Sequence, residues 1–234
     1  MLASWLAKRA DAHAADCHGC SLCLLPCPMW RQHRDVMFSP QGMCKSMQAQ
    51  AKAEDVRAVL ETCVNCGACD VICPEHIDVT GIMDRERDKL GLPKAIKVEE
   101  QALTAFMMSC DPAVQAQLHA DDLYIIDAAV LHQHYAERIT HYTTLRQETG
   151  CQFNLDLNRL AIPTGAASQS AQDGRFDVAE QVGWLMQGHT VARVVVENTQ
   201  DGAAIAEYTD IPVVYIADLM PVNSKNSGVQ NATS

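Results

Sequence analysis

The feature that most constrains this chain is a cysteine spacing that occurs twice. Residues 17–28 read CHGCSLCLLPCP and residues 63–74 read CVNCGACDVICP. Cys17, Cys20, Cys23 and Cys27 therefore precede Pro28 as Cys63, Cys66, Cys69 and Cys73 precede Pro74. Three thiols spaced three residues apart can wrap one face of a polynuclear metal centre. The fourth stands four residues further on, and an extended step of that length reaches at most ~14 Å, enough to arrive at a neighbouring site. Each proline removes an amide donor and fixes φ, turning the chain away. Gly19 and Gly67 give the loops the backbone freedom that tight wrapping needs. Zinc sites pair two Cys-x2–4-Cys knuckles, a different pattern, and soft thiolate sulfur suits iron–sulfur clusters.

The C-x2-C-x2-C-x3-C-P run resembles that of bacterial ferredoxins, where in two-cluster proteins the fourth cysteine ligates the other cluster. The resemblance implies two [4Fe-4S] clusters as cofactors. One would take Cys17, Cys20, Cys23 and Cys73, the other Cys63, Cys66, Cys69 and Cys27. Such swapped ligands force the two sites close together, as stepwise electron transfer requires. Amides of the loops, and His18 or His76 beside them, are candidate hydrogen-bond donors to sulfur.

Composition narrows the setting. The chain has 234 residues, 48% of them hydrophobic and 5% aromatic, with a net charge of -11 and a pI near 5.2. That length suits one or two domains with a real core. The acidity argues against nucleic acid or an anionic membrane surface as partner. No stretch approaches the ~20 apolar residues of a membrane span. Leu2, Trp5, Leu6 and Arg9 fall at helical spacing, and charge arrives too early for a secretory leader, so an amphipathic helix is expected there. Eight of the 11 cysteines sit in the two runs, which reads as metal binding in a reducing cytoplasm rather than as disulfides.

Between the runs, MCKSMQAQAKAEDVRAVLETC lacks proline and glycine and places Met47, Ala51, Val56, Val59 and Leu60 at roughly helical period, so one helix is expected, with FSPQG breaking the chain before it. Together, CHGCSLCLLPCPMW, FSPQGM and LETCVNCGACDVICPEHIDVTGIMDRER resemble the helical ferredoxin module of heterodisulfide reductase C/D-type subunits. The same module occurs in the iron–sulfur subunits of glycolate oxidase, anaerobic glycerol-3-phosphate dehydrogenase, lactate-utilisation systems and succinate dehydrogenase. That family often carries S-P-R-G where this chain has Gln41.

From about residue 95 the texture alternates. LTAFMMS (103–109), LYIID (123–127), CQFNLDL, VARVVVE and IPVVYIA read as strands. A helix is expected from Ala129 to Thr149, ended by Gly150, and another in GRFDVAEQVGWLMQGH with Val178, Val182 and Leu185 on one face. Alternation of this kind implies a parallel α/β layer. The half resembles a cysteine-rich CCG domain that has lost its thiols. Cys110 in MMSC is the expected remnant of one cysteine, Pro163 and Thr164 in IPTGAAS stand where two others belong, and NTQDG replaces a later Cys-x2-Cys.

The expected fold is thus α plus α/β: a helical two-cluster ferredoxin domain (1–94), a Rossmann-like α/β domain resembling a CCG domain without its cysteines (95–222), and a disordered tail (223–234). The resemblance implies an electron-transfer subunit of a cytoplasmic, multi-subunit heterodisulfide-reductase-like complex, with a flavoprotein or another iron–sulfur or reductase subunit as partner. No nucleotide-binding or hydrolase motif is legible. The competing expectation is a catalytic subunit acting on a thiol or disulfide through Cys110 or Cys151; a redox sensor is a third, weaker one. Cys44, Cys110 and Cys151 otherwise read as small buried hydrophobes. His132, His134 and His141 read as core or solvated histidines, and the acids of ENTQDGAAIAEYTD as a solvated edge.

Overall fold

The computed structural model describes residues 12–93, 99–157 and 159–221. The expected N-terminal helix, the 94/95 boundary and the tail lie outside the described residues.

Short helices build the first half. Cys27 caps α1 (Pro28–His33), and Pro28 occupies the first turn, where its missing N–H costs nothing. Ser39 caps α2 (Pro40–Gln48) by accepting from the Gly42 amide, and Asp78 caps α5 (Val79–Lys89) by accepting from the Gly81 amide. Between them run a 3₁₀ turn (Ala53–Val56), α3 (Arg57–Thr62) and α4 (Ala68–Ile72). The stretch expected to be helical between the cysteine runs is helical, in separate pieces. α2 ends at Gln48, Gln50 takes φ 60°, and the chain reverses before α3. Lys45 and Gln48, in the last turn of α2, reach back to the first cysteine loop. Met29, Met43, Val56, Val59, Leu60, Ile77, Ile82 and Met83 form the core of this half.

In the second half a four-stranded parallel sheet has the order β2–β1–β5–β6, with β1 at Asp122–Ile125, β2 at Gln152–Phe153, β5 at Arg193–Val196 and β6 at Val213–Tyr215. A small antiparallel pair, β3 (Leu155–Asp156) and β4 (Leu160–Ala161), stands beside it. β1 shows the period of two: Leu123 and Ile125 join Val182, Val194, Val196 and Ile205 in one core cluster, while Tyr124 and Ile126 join Leu131, Tyr142, Leu145 and Phe153 in the other. The first cluster brings in α11 (Val178–Met186) and α12 (Thr199–Tyr208). The second brings in α8 (Ala128–Gln133), α9 (Tyr135–Thr149), α6 (Glu99–Ser109) and α7 (Pro112–Gln115). α10 (Gln169–Gln172) faces the first half.

The strand expectations hold for 123–127, for CQFNLDL as two short pieces, and for the two valine-rich runs. The stretch 103–109 is a correction: it lies within α6, not in a strand. A run with five apolar residues in seven is ambiguous by itself, and Ala and Met favour helix. Ala105 and Ser109, four apart, are fully buried, while Met107 is 65% exposed, the signature of a helix. The helix expected over 129–149 is also divided, at His134 (φ -121°, ψ 35°); Gly150, in the left-handed region at φ 74°, ends α9 as expected.

The two halves meet through named contacts. Arg31 lays its guanidinium 3.6 Å from the Trp184 ring centroid and donates from Nη1 to Gln181 Oε1 at 3.0 Å. Gln32 Nε2 donates to the Asp177 carbonyl at 2.6 Å. Ser170 Oγ donates to the Glu61 carbonyl at 2.6 Å, and Arg175 pairs with the Glu61 carboxylate at 3.0 Å. Among the described residues, no helix is long and apolar enough to cross a membrane.

Candidate iron–sulfur centre

The two cysteine loops fold alike. Gly19 and Gly67 both take φ 78°, a region that side chains avoid, and each allows its loop to curl between the first and third thiols. The carbonyl of each leading cysteine is then held by a cation from a later helix. Lys45 Nζ donates to Cys17 O at 2.7 Å, helped by Gln48 Nε2 at 2.9 Å. Arg87, buried, donates from Nη2 to Cys63 O at 2.9 Å and to Leu60 O at 2.8 Å. Asp70, between Cys69 and Cys73, accepts from the Val79 and Thr80 amides at 2.8 and 3.1 Å and ties the second loop to the start of α5.

The thiols gather in two small cavities. One is lined by Cys17, Cys20, Cys23 and Cys73, with Cys44 and Cys69 at its wall. The other is lined by Cys63, Cys66, Cys69 and Cys27. Pro40, Cys69 and Val79 line both, so the cavities adjoin. Electrostatic coupling follows the same grouping. Burial, then Cys17, Cys20 and Cys73, push the Cys23 thiol up to about 12. Burial is also the main cause for Cys27, which feels Cys66 and Cys63. Cys66 is pushed up to about 12, chiefly by burial. In both groups the fourth cysteine of one run stands with the first three of the other.

Do these residues suit a cluster? Four thiols lining one small cavity are a poor set of protons and a good set of soft anionic ligands for a cationic core. A second observation concerns Arg31. Its guanidinium is within electrostatic reach of Cys27 and Cys66, and its Nη2 is buried with no hydrogen-bond acceptor among the described residues. A buried orphan donor is costly, and thiolate-ligated sulfur is the kind of acceptor that would meet it. The residues fit the group.

Several neighbours escape sequence reasoning because their partners are distant. His132, 6% exposed, lies 2.6 Å from the Cys66 carbonyl through Nδ1 and accepts from the Ala161 amide at Nε2 at 3.2 Å. An acceptor at Nε2 leaves the proton on Nδ1, so a neutral imidazole bridges the second loop to β4. Burial pushes its pKa down to about 4. Cys44, read as a buried hydrophobe, is buried, and with Cys17 it lines the first cavity. His18 is exposed and sits 3.9 Å from Glu75, and His76 takes φ 55°. Gln41 accepts from Ser21 Oγ at 2.8 Å.

Of the acids after β5, Glu207 and Asp210 are exposed as expected, while Glu197 and Asp201 are a correction to the expected solvated edge. Glu197 is fully buried, accepting from Tyr142 and Tyr124 hydroxyls at 2.6 and 2.9 Å and from the Asp127 amide at 3.0 Å. Asp201 is buried and takes the Thr164 hydroxyl. Burial pushes each up to about 7. Asn198 caps α12. Thr164 and Asp201 thus form a buried hydrogen-bonded pair, and Asn198 is a helix cap. Cys110 and Cys151 are not equivalent. Cys151 is buried with its thiol donating to the His119 carbonyl at 3.2 Å, whereas Cys110 is exposed beside His141.

Comparison with known proteins agrees on the coarse level. Residues 13–77 match the family described as a 4Fe-4S dicluster domain. The chain is 29% identical over 104 residues to a protein of Bacillus subtilis (strain 168) named probable glycolate oxidase iron-sulfur subunit. That alignment covers 41% of this chain and 23% of the relative, so the chain spans about a quarter of the relative's length. No solved structure matches it. The expectation of an iron–sulfur electron-transfer protein is supported by both its cysteine spacing and its relatives.

Proposed function

We propose that the chain is an electron-transfer subunit in which Cys17, Cys20, Cys23 and Cys73 hold one [4Fe-4S] cluster and Cys63, Cys66, Cys69 and Cys27 hold a second. The observation that supports this reading is the exchange of fourth cysteines between two adjoining cavities. When bound, such clusters supply one-electron storage at two neighbouring points. The chain's own residues do the rest. Lys45 and Arg87 hold the loops in register. His132 braces the second loop against the α/β half, and Arg31 offers the second site a positive charge that favours the electron-rich state.

In its fuller form the proposal is a cytoplasmic relay within a heterodisulfide-reductase-like complex, receiving electrons from a flavoprotein or another iron–sulfur subunit. The α/β half then acts as a CCG domain stripped of its cluster, a scaffold rather than a catalytic unit. The test is anaerobic purification with iron and sulfide counting and EPR. About eight irons per chain and spin-coupled signals on reduction are expected from two adjacent four-iron clusters. Zinc in place of iron, or about four irons with an uncoupled signal, overturns the reading.

A further inference from the structure

A cavity of about 520 Å³ opens outside the carboxyl ends of β1 and β5, between the α/β half and the second cysteine loop. The strand order places it there. β1 and β5 are neighbours, yet the helices that follow them, α8 and α12, pack on opposite faces of the sheet, so the two connections part and leave a crevice. Open parallel sheets bind their ligands in such crevices, and the volume suits a small organic molecule. Cys66 and Gly67 line both this cavity and the one gathered around the second set of thiols. An occupant would therefore stand beside the second loop.

The usual occupant of such a crevice is an anion held on helix N-termini, and here the chain's own side chains take that role. Asp127 Oδ1 accepts from the Val130 amide at 3.0 Å, and Asn198 Oδ1 accepts from the Gln200 amide at 2.8 Å. The wall carries six carboxylates and no Lys or Arg. Asp84 pairs with Arg87, and Asp70 and Asp78 accept from amides at the start of α5. Asp127 and Asp201, 7% and 8% exposed, make no ion pair among the described residues. Asp127 Oδ2 accepts from Asn198 Nδ2 at 2.9 Å; Asp201 Oδ1 takes the Thr164 hydroxyl, and its Oδ2 has no donor among the described residues. Burial, and then the neighbouring Asp127, push the Asp201 carboxyl up to about 7. A carboxylate buried this far with one hydroxyl for a partner lacks a countercharge. No three acidic or histidine side chains among the described residues are placed to hold one metal ion, whereas Val71, Ala129, Ala136 and Pro163 give the wall an apolar part for a hydrocarbon body.

We propose that this cavity binds a small organic cation, an ammonium or guanidinium on a short hydrocarbon chain, held by Asp201 and Asp127. Its charge lies beside the second cluster and favours the reduced state, so binding and reduction strengthen each other. That coupling rests on the cluster assignment proposed above; the binding itself does not.

The test is anaerobic calorimetric titration of the cluster-loaded full chain with putrescine, spermidine and agmatine, in about 0.15 M salt to screen the acidic surface. At least one should saturate a single site, while butanediol and succinate, which match putrescine in carbon count, should not bind. Mg²⁺ at the same concentration should not displace the bound probe. Asp201→Asn should weaken binding about tenfold or more. Ala136→Lys, which sets an ammonium at the exposed rim, should weaken it too, and carries the comparison if Asp201→Asn does not fold. In EPR-monitored redox titration the bound probe should raise the potential of the signal that Cys63→Ser abolishes; tenfold tighter binding to the reduced state is a rise of about 59 mV for one electron. No saturable binding by any of the three, binding undiminished in both variants, or displacement by Mg²⁺ overturns the proposal. So does binding without that rise when both clusters are present. Should the centres hold zinc instead, the calorimetry still decides, so the two readings fail separately.

Discussion

The two cysteine loops have the same spacing, each has a left-handed glycine beside its second cysteine, and each has a cation on its leading carbonyl, yet their surroundings differ. Around the first loop Cys20 is exposed, as are Leu22 and Leu25, and the bracing Lys45 is itself at the surface. Around the second, Cys27 and Ala68 are buried, Cys66 packs against the α/β core, His132 seals one side, and the bracing Arg87 is buried. Spacing alone decides which thiols gather. Surroundings decide what each site can do: on the proposed reading the first, with Cys20 exposed, is the more open to a partner, and the second, with Cys27 buried, is the more covered.

Exchanging a single fourth ligand tests the pairing most severely. Cys73→Ser should abolish the same EPR signal that Cys17→Ser abolishes, although Cys73 belongs to the other run. Cys27→Ser should abolish the signal lost in Cys63→Ser. Each should cost up to about half of the iron of a two-cluster protein. Should Cys73→Ser instead remove the Cys63 signal, each run closes on itself and the comparison of an open with a covered site loses its basis.

The two braces come next. Arg87→Met leaves the Leu60 and Cys63 carbonyls without their buried donor and should cost about 4 kcal/mol. Lys45→Met removes an exposed contact whose carbonyl water can satisfy, and should cost less than about 1 kcal/mol. For a chain of this size, unfolding midpoints about 10 °C apart are the expected readout. Equal shifts would mean that the first loop is as dry as the second. His132→Leu, which strands the Cys66 carbonyl and the Ala161 amide, should cost about 3 kcal/mol. Its cluster-specific readout is a potential change at the second site alone; a change at both would show that the seal is shared.

What was legible in the sequence was what is local. The cysteine grid, the valine-rich strands and the glycine that ends α9 are written within a few residues of themselves. The stretch 103–109 misled because a short apolar run carries no period until its exposed member, Met107, is known. His132 was indistinguishable from any histidine, since its partners are 66 and 29 residues away. Glu197 looked solvated because its tyrosines lie 55 and 73 residues upstream. One signal was available: a glutamate directly after the buried VVV of β5 stands at the end of a strand with nowhere wet to go. Arg31 gave no such sign. Its importance comes from Trp184 and Gln181, in the other half of the chain.

The smallest effect separates the loops most finely. Gly19→Ala and Gly67→Ala both force a side chain into φ 78°, a strain of about 1–2 kcal/mol that should be common to the two. They differ in what the added methyl meets. At Gly19 it would lie 3.5 Å from Lys45 Cε, the far end of a flexible, exposed chain that can step aside. At Gly67 it would lie 3.2 Å from Cβ of His132, which is rooted in α8 and held at both ring nitrogens, so the second loop itself must yield. Gly67→Ala should therefore exceed Gly19→Ala by up to about 1 kcal/mol, and iron loss to a chelator should accelerate in Gly67→Ala more than in Gly19→Ala. Equal losses in the two variants would mean that α8 gives way as readily as a lysine does, and that the cover over the second loop is soft.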